Sequence, residues 1–252
     1  MRRLCAFTPY ALCLALLAFG ATFALLLRYR TAWRGARAES ERLYRKMVDW
    51  PELRFYSAAN AALPRPGPRR VVFLGDSITQ RWDLARFFPE FEVINRGIGW
   101  QTTSEMLVRM RPDVVALKPA AVVVLGGFND FHVDRGGSAL VTVQNNVESM
   151  IELAHAHRIG VLVGTIPLVR PDLPASTSEA AAELVARYND WLRTFCSGKN
   201  CVIVDFERAL RAAGTPLSEY LSDCIHPKEK GYEIMAQAVR VALKSIVHED
   251  LR

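Results

Sequence analysis

Cysteine and histidine are scarce, five of each in 252 residues, and neither gathers at the spacing of metal ligands. His155 and His157 stand two apart in a helical pattern and face different ways, so they form no chelating pair. The lysine of a phosphate-binding loop and the spaced glycines of a dinucleotide fold are both missing, which leaves nucleotide binding without its signature. No cofactor and no metal are therefore expected. Internal repeats and low-complexity tracts are absent as well, so a solenoid is excluded.

Negative charge is short at one end only. The formal net charge of +6 divides unevenly: Met1–Arg70 holds 13 Lys and Arg against 4 Asp and Glu, whereas Val71–Arg252 holds 19 against 22. The basic excess belongs to the amino-terminal segment, and a nucleic-acid-binding face on the remainder is not expected. Between Leu4 and Leu27 charge is missing altogether, a run of 24 residues that at about 1.5 Å per residue spans a bilayer. The small residues of Ala18-Phe19-Gly20-Ala21 raise a cleaved signal peptide as the rival reading, but the apolar run continues past them. Residues 1–30 are read as a transmembrane anchor, with the signal peptide as alternative. Arg28, Arg30, Arg34 and Arg37 after the run outnumber Arg2 and Arg3 before it, a count that favours a cytoplasmic position for the rest of the chain.

Residues 31–69 are read as a helical collar and a linker. Glu39–Val48 has the charges of a solvated helix, Ala58–Leu63 resumes it after Pro51, and Trp50, Phe55 and Tyr56 offer aromatic surface for packing. Pro64-Arg65-Pro66-Gly67-Pro68 is a stiff connection. Beyond it, Val71–Leu74 is a short apolar run that ends in Gly75-Asp76-Ser77. In open α/β sheets reactive groups lie just past the carboxyl ends of such strands, so Ser77 stands where a nucleophile would. The plainer reading is that Asp76 or Ser77 caps the next helix. A serine needs a base, and the base an orienting group. Asp223-Cys224-Ile225-His226-Pro227 offers both, because a three-residue offset on a turn returns a carboxylate to an imidazole. A metal set is the rival chemistry for Asp223, Cys224 and His226, but no second cluster accompanies them. Two further runs end in polar loops: Ala121–Leu125 empties into Gly126-Gly127-Phe128-Asn129-Asp130, and Phe91–Ile94 into the segment Asn95–Thr103. An Asn129 amide there can donate to a developing oxyanion.

In this order the four blocks resemble the SGNH or GDSL hydrolase family, named for the Ser, Gly, Asn and His of its motifs. The resemblance runs from Val71 to about Val247 through Gly75-Asp76-Ser77, the loop Asn95–Thr103, Gly126-x-x-Asn129-Asp130 and Asp223-x-x-His226-Pro227. It implies that Ser77 attacks an acyl carbonyl, His226 shuttles the proton and Asp223 orients the imidazole. The Ser77 N–H, the Trp100 N–H and the Asn129 side chain would form the oxyanion hole, with Asp76, Gly99 and Phe128 supporting the site or lining substrate. Trp100 stands where the family usually carries glycine, with Gly99 expected to supply the lost flexibility, and Phe128 replaces a small residue. It also implies a domain facing the periplasm or the outside, against the arginine count. Cys196 and Cys201 are close enough in sequence for a disulfide in an oxidising compartment and are otherwise two thiols.

Strand patterns at Val71–Leu74, Phe91–Ile94, Ala121–Leu125, Val161–Ile166 and Cys201–Asp205 alternate with helical ones at Leu84–Phe88, Thr103–Met110, Val141–His157, Glu179–Phe195 and Lys228–Val247. Such alternation predicts an α/β fold, a three-layer α/β/α sandwich over residues 70–252 with a parallel, flavodoxin-like five-stranded sheet. No Gly-x-Ser-x-Gly elbow occurs, so the α/β-hydrolase fold fits poorly. The expected function is a membrane-anchored serine ester hydrolase acting on a small-molecule, lipid or glycan acyl ester. The alternatives are an O-acyltransferase or deacetylase of cell-envelope glycans, and a non-catalytic scaffold.

Overall fold

Strands that are apolar throughout must be covered on both faces, and the computed structural model of the protein has this arrangement. It describes residues 8–133, 137–167, 179–198, 201–214 and 216–246. The chain divides into two compact units, Met1–Trp50 and Pro51–Arg252. In the first, α1 runs unbroken over Thr8–Val48. The sequence pattern separates an apolar segment from a solvated helix at Glu39–Val48. No proline lies between Arg28 and Val48 to part them, so one helix carries both. Its stretch Leu12–Glu41 is long and apolar enough to cross a membrane.

The second unit is built on five parallel strands, β1 (Arg70–Gly75), β2 (Glu92–Gly97), β3 (Ala121–Leu125), β4 (Gly160–Gly164) and β5 (Cys201–Val204). Their order, β2-β1-β3-β4-β5, is the flavodoxin-like one, which reverses direction between β1 and β3. Every residue of β1 and β3 is buried, which is why these two central strands are continuous apolar runs in the sequence. A crevice opens past their carboxyl ends in such a sheet, and the loops that follow β1 and β3 flank it.

Helices α3 (Ser77–Gln80), α4 (Leu84–Phe87), α9 (Phe206–Ala212) and α10 (Glu229–Leu243) belong to one side of the sheet. Tyr232 Oη of α10 donates to Ile78 O of α3 at 2.8 Å, and Phe73, Trp82, Phe88, Phe206 and Tyr232 form an aromatic cluster on this side. Helices α5 (Thr103–Asp113), α7 (Gly137–Ala156) and α8 (Glu179–Cys196) pack against one another on the other, with the short α6 (Phe128–Val133) between β3 and α7. The last helix was expected to reach Val247, which lies outside the described residues. Cys196, at the end of α8, and Cys201, at the start of β5, form a disulfide with Cα atoms 5.3 Å apart.

The stretch that opens this unit lies against the sheet's β2 edge. Tyr56, just before α2 (Ser57–Ala61), donates its hydroxyl to Gly97 O at 2.6 Å, and Asn60 Nδ2 donates to Asp113 Oδ1 at 2.7 Å. Arg96 in turn donates to Asn60 Oδ1 and lies over the Tyr56 ring, 4.6 Å from its centroid.

Candidate active site

The turn after β1 is too crowded for any side chain at its first position. A Cβ on Gly75 would lie 2.2 Å from Thr79 Oγ1 and 2.5 Å from Leu125 O, so only glycine lets the chain fold into α3 here. Asp76 then caps that helix, its Oδ1 accepting the Ile78 N–H at 2.9 Å. With Asp76 as the cap, Ser77 begins the first turn. The plain and the chemical readings of Gly75-Asp76-Ser77 thus apply to different residues.

A tight turn delivers the partner. Leu221 and Pro227 form an isolated antiparallel bridge, and Ser222 N–H donates to His226 O at 2.8 Å, which folds 222–226 back on itself. Inside the turn Asp223 Oδ1 accepts the N–H groups of His226 and Ile225 at 2.8 and 3.0 Å, while its Oδ2 lies 2.7 Å from His226 Nδ1. His226 Nε2 lies 2.8 Å from Ser77 Oγ. Burial opposes ionisation of Asp223, but the two backbone donors and the imidazole outweigh it and hold this carboxyl below its ordinary value. An ionised carboxylate, an imidazole and a hydroxyl in this file can pass a proton from the hydroxyl to the ring. Asp76 behaves oppositely: burial, against the Ile78 N–H, pushes its carboxyl up to about 7.

Two more donors face the same crevice. Asn129, buried in the first turn of α6, gives one amide hydrogen to Gln101 O at 2.9 Å, and the other has no acceptor among the described residues. Its neighbour Asp130 accepts the Thr103 N–H and hydroxyl at 2.9 and 2.7 Å, which ties α6 to the start of α5. Trp100 stands just before, with a φ of 68°. That left-handed conformation is the one glycine adopts freely, so Trp100 itself bears the geometry that Gly99 was expected to relieve. Gly99 instead donates its N–H to Gln80 Oε1 at 3.0 Å, which spends that donor and leaves the Trp100 N–H as the one without a partner among the described residues.

A cavity of about 450 Å3 joins these groups, with Ser77, His226, Asn129 and Asp76 among its lining residues. Trp100, Phe128 and His132 make one wall, the His132 ring 6.5 Å from Trp100 and stacked 6.2 Å from Phe128. His132 and Arg81, also in the lining, were missed in the sequence. His132 follows Phe128 at the i, i+4 spacing of a helix, but a helix of six residues shows too little periodicity to be read. Among the described residues no group of His, Cys, Asp and Glu converges as a metal set.

The pattern of the GDSL-like Lipase/Acylhydrolase family matches residues 73–234. A GDSL-like lipase from Bacteroides thetaiotaomicron VPI-5482 is 29% identical and superposes with a TM-score of 0.69, covering 77% of this chain and 98% of its own. The acetyl xylan esterase AlAXEase, at 22% identity and a TM-score of 0.59, shares the fold over 69% of this chain and 99% of its own. The uncharacterized lipoprotein YqeF of Bacillus subtilis (strain 168) is 30% identical over 124 residues, 41% of this chain; the chain spans about half the length of that relative, 51%. The family pattern takes in all four polar blocks and well over half of the residues, and the chain belongs to the GDSL-like Lipase/Acylhydrolase family of hydrolases.

Proposed function

We propose that the protein is a serine carboxylic ester hydrolase held at a membrane by its first helix. The observation that carries this reading is the file Ser77 Oγ, His226 Nε2, His226 Nδ1 and Asp223 Oδ2, with successive contacts of 2.8 and 2.7 Å. Ser77 attacks the acyl carbonyl as His226 accepts its proton, and Asp223 holds the imidazole in the required orientation. The carbonyl oxygen becomes an oxyanion facing the Ser77 N–H, the Trp100 N–H and the free hydrogen of Asn129 Nδ2. Such donors are worth about 3 to 4 kcal/mol each when the charge develops against them. His226 then protonates the leaving alcohol, and water repeats the sequence on the acyl-enzyme.

The aromatic wall beside Ser77 favours a short acyl group, and the exposed Trp100 at the rim suits the face of a sugar ring. An acetylated glycan is therefore the second reading of the substrate. Trp100 is 78% exposed and leaves the cavity open, which favours an enzyme over a scaffold. The disulfide between Cys196 and Cys201 supports an oxidising compartment, hence a domain in the periplasm or outside the cell. Turnover of a panel of acyl esters, from acetyl to long-chain and including lysophospholipids and acetylated sugars, tests the activity. A serine-directed phosphonate should label Ser77, and Ser77→Ala should lose turnover while keeping its fold, since loss of a turn serine costs at most about 2 kcal/mol. Labelling elsewhere, or an active alanine variant, refutes the assignment.

A further inference from the structure

The loop that carries the Trp100 N–H is held from outside the region matched by the family pattern, which begins at residue 73. Gln101 is 2% exposed, and its Nε2 donates to Pro51 O at 2.9 Å. Four residues earlier, Gly97 O accepts the Tyr56 hydroxyl at 2.6 Å. Both ends of the five-residue stretch 97–101 are thus fastened to 51–56, with Trp100 between the fastenings. Gln101 also reaches inward, since its carbonyl accepts from Asn129 Nδ2 at 2.9 Å. One buried residue therefore touches the strap, the peptide of one oxyanion donor and the amide of another.

We propose that Pro51–Tyr56 is a positioning strap for the oxyanion loop and that Gln101 is its coupling residue. This rests on the ester hydrolase reading above. The physical reason is the Trp100 backbone. A non-glycine residue in the left-handed region is disfavoured and persists only where its surroundings over-determine it. Without the two fastenings the 97–101 backbone relaxes, the Trp100 N–H swings off the oxyanion position, and the Asn129 amide loses its fixed acceptor. The ground-state ester keeps the Phe128 and His132 side of the wall, which the strap does not touch, and its binding changes little. Strap residues should therefore act on kcat and not on KM.

The test uses the full-length chain in detergent, with Tyr56→Phe and Gln101→Leu compared with the parent. Tyr56→Phe keeps the ring on Arg96 and removes one hydroxyl, so it guards against simple misfolding in the other variant. Rates are expressed per Ser77 titrated by the phosphonate. A short-chain aryl trifluoromethyl ketone serves as the second probe: Ser77 Oγ adds to its carbonyl carbon, the carbonyl electron pair moves onto oxygen as the oxyanion, and His226 takes the serine proton. The expected result is a tenfold to hundredfold fall in kcat at near-constant KM. The ketone's inhibition constant should rise in proportion to the loss of kcat/KM. Unchanged kcat per titrated serine, or a ketone affinity that stays at the parent value while kcat falls, overturns the strap and leaves the hydrolase reading intact. A parent that turns over no ester and takes no phosphonate overturns the hydrolase reading and the strap with it.

Discussion

At Trp100 one residue sets both a backbone cost and a pocket wall. Its φ of 68° is disfavoured by about 1 to 2 kcal/mol for a residue with a Cβ, and its exposed ring recovers little of that through packing. Trp100→Gly should therefore be neutral to stabilising by about 1 kcal/mol once the greater freedom of unfolded glycine is counted, a rise of a few degrees in Tm. The same change removes the wall. Esters with longer acyl chains should gain, each newly buried methylene contributing up to about 0.8 kcal/mol. Plots of kcat/KM against acyl length for parent and variant check this, and identical profiles would mean that the ring faces away from substrate. Asp76 offers a pH test at the same scale. Its folded pKa of about 7 lies above the ordinary carboxylate value of 3.8, so the native state holds the proton more tightly than the unfolded chain. The resulting stability is complete below about pH 4 and is lost as pH rises to 7, up to about 4 kcal/mol for a group so fully buried. Asp76→Asn keeps the acceptor for Ile78 N–H and cannot ionise. Between pH 5 and 8 its urea midpoint should fall less than that of the parent.

At the scale of elements, the turn 222–226 is the smallest unit that carries the proposed base together with its orienting carboxylate. Because Asp223 Oδ1 also holds two backbone N–H groups, the carboxylate both orients the ring and closes the turn. His226→Ala should match Ser77→Ala in lost turnover, while Asp223→Ala should retain roughly ten to a hundred times more, since neighbours partly orient the ring. Equal rates for parent and His226→Ala would refute this. Legibility also divides by element. The central strands were readable because burial on both faces forces apolar runs, and the sheet order followed from alternation and family likeness together. Helices α3, α6 and α9 were not, because four to seven residues do not complete two turns of a periodic pattern, whereas α2 and α4 fall where Ala58–Leu63 and Leu84–Phe88 read as helical. The polar blocks that carry Ser77 and Asn129 stand out because each follows an abrupt change from apolar run to turn chemistry, and His226 stands out through Asp223 three residues before it. The contacts of Gln101 with Pro51 and of Tyr56 with Gly97 left no trace of that kind, since each ends on a backbone carbonyl that any residue could present. The left-handed turn falls on Trp100 and not on Gly99, whose N–H is held by the Gln80 side chain, a contact 19 positions away that local pattern does not reveal.

For the whole molecule, the apolar helix sets the expected attachment to a membrane, and the Cys196–Cys201 disulfide, against the arginine count, sets the expected side. The chain should fractionate with membranes and resist extraction by alkaline carbonate, and a soluble form beginning near Ala21 would favour a cleaved signal instead. A cysteine introduced at an exposed position, Ser218→Cys, should react with a membrane-impermeant maleimide from the non-cytoplasmic side, and protection there would place the domain in the cytoplasm.

Ser77 and His226 are separated by 149 positions and meet only across a finished sheet. All strand pairings in that sheet are parallel, so each needs a long crossover closed before it forms, and such topologies fold slowly. The turn that carries His226 leads straight into α10, whose Tyr232 is hydrogen-bonded to Ile78 of α3, so docking of that helix and approach of His226 to Ser77 should go together. Regain of the proposed ester turnover should therefore lag behind pairing of the strands, and partly assembled intermediates should be silent.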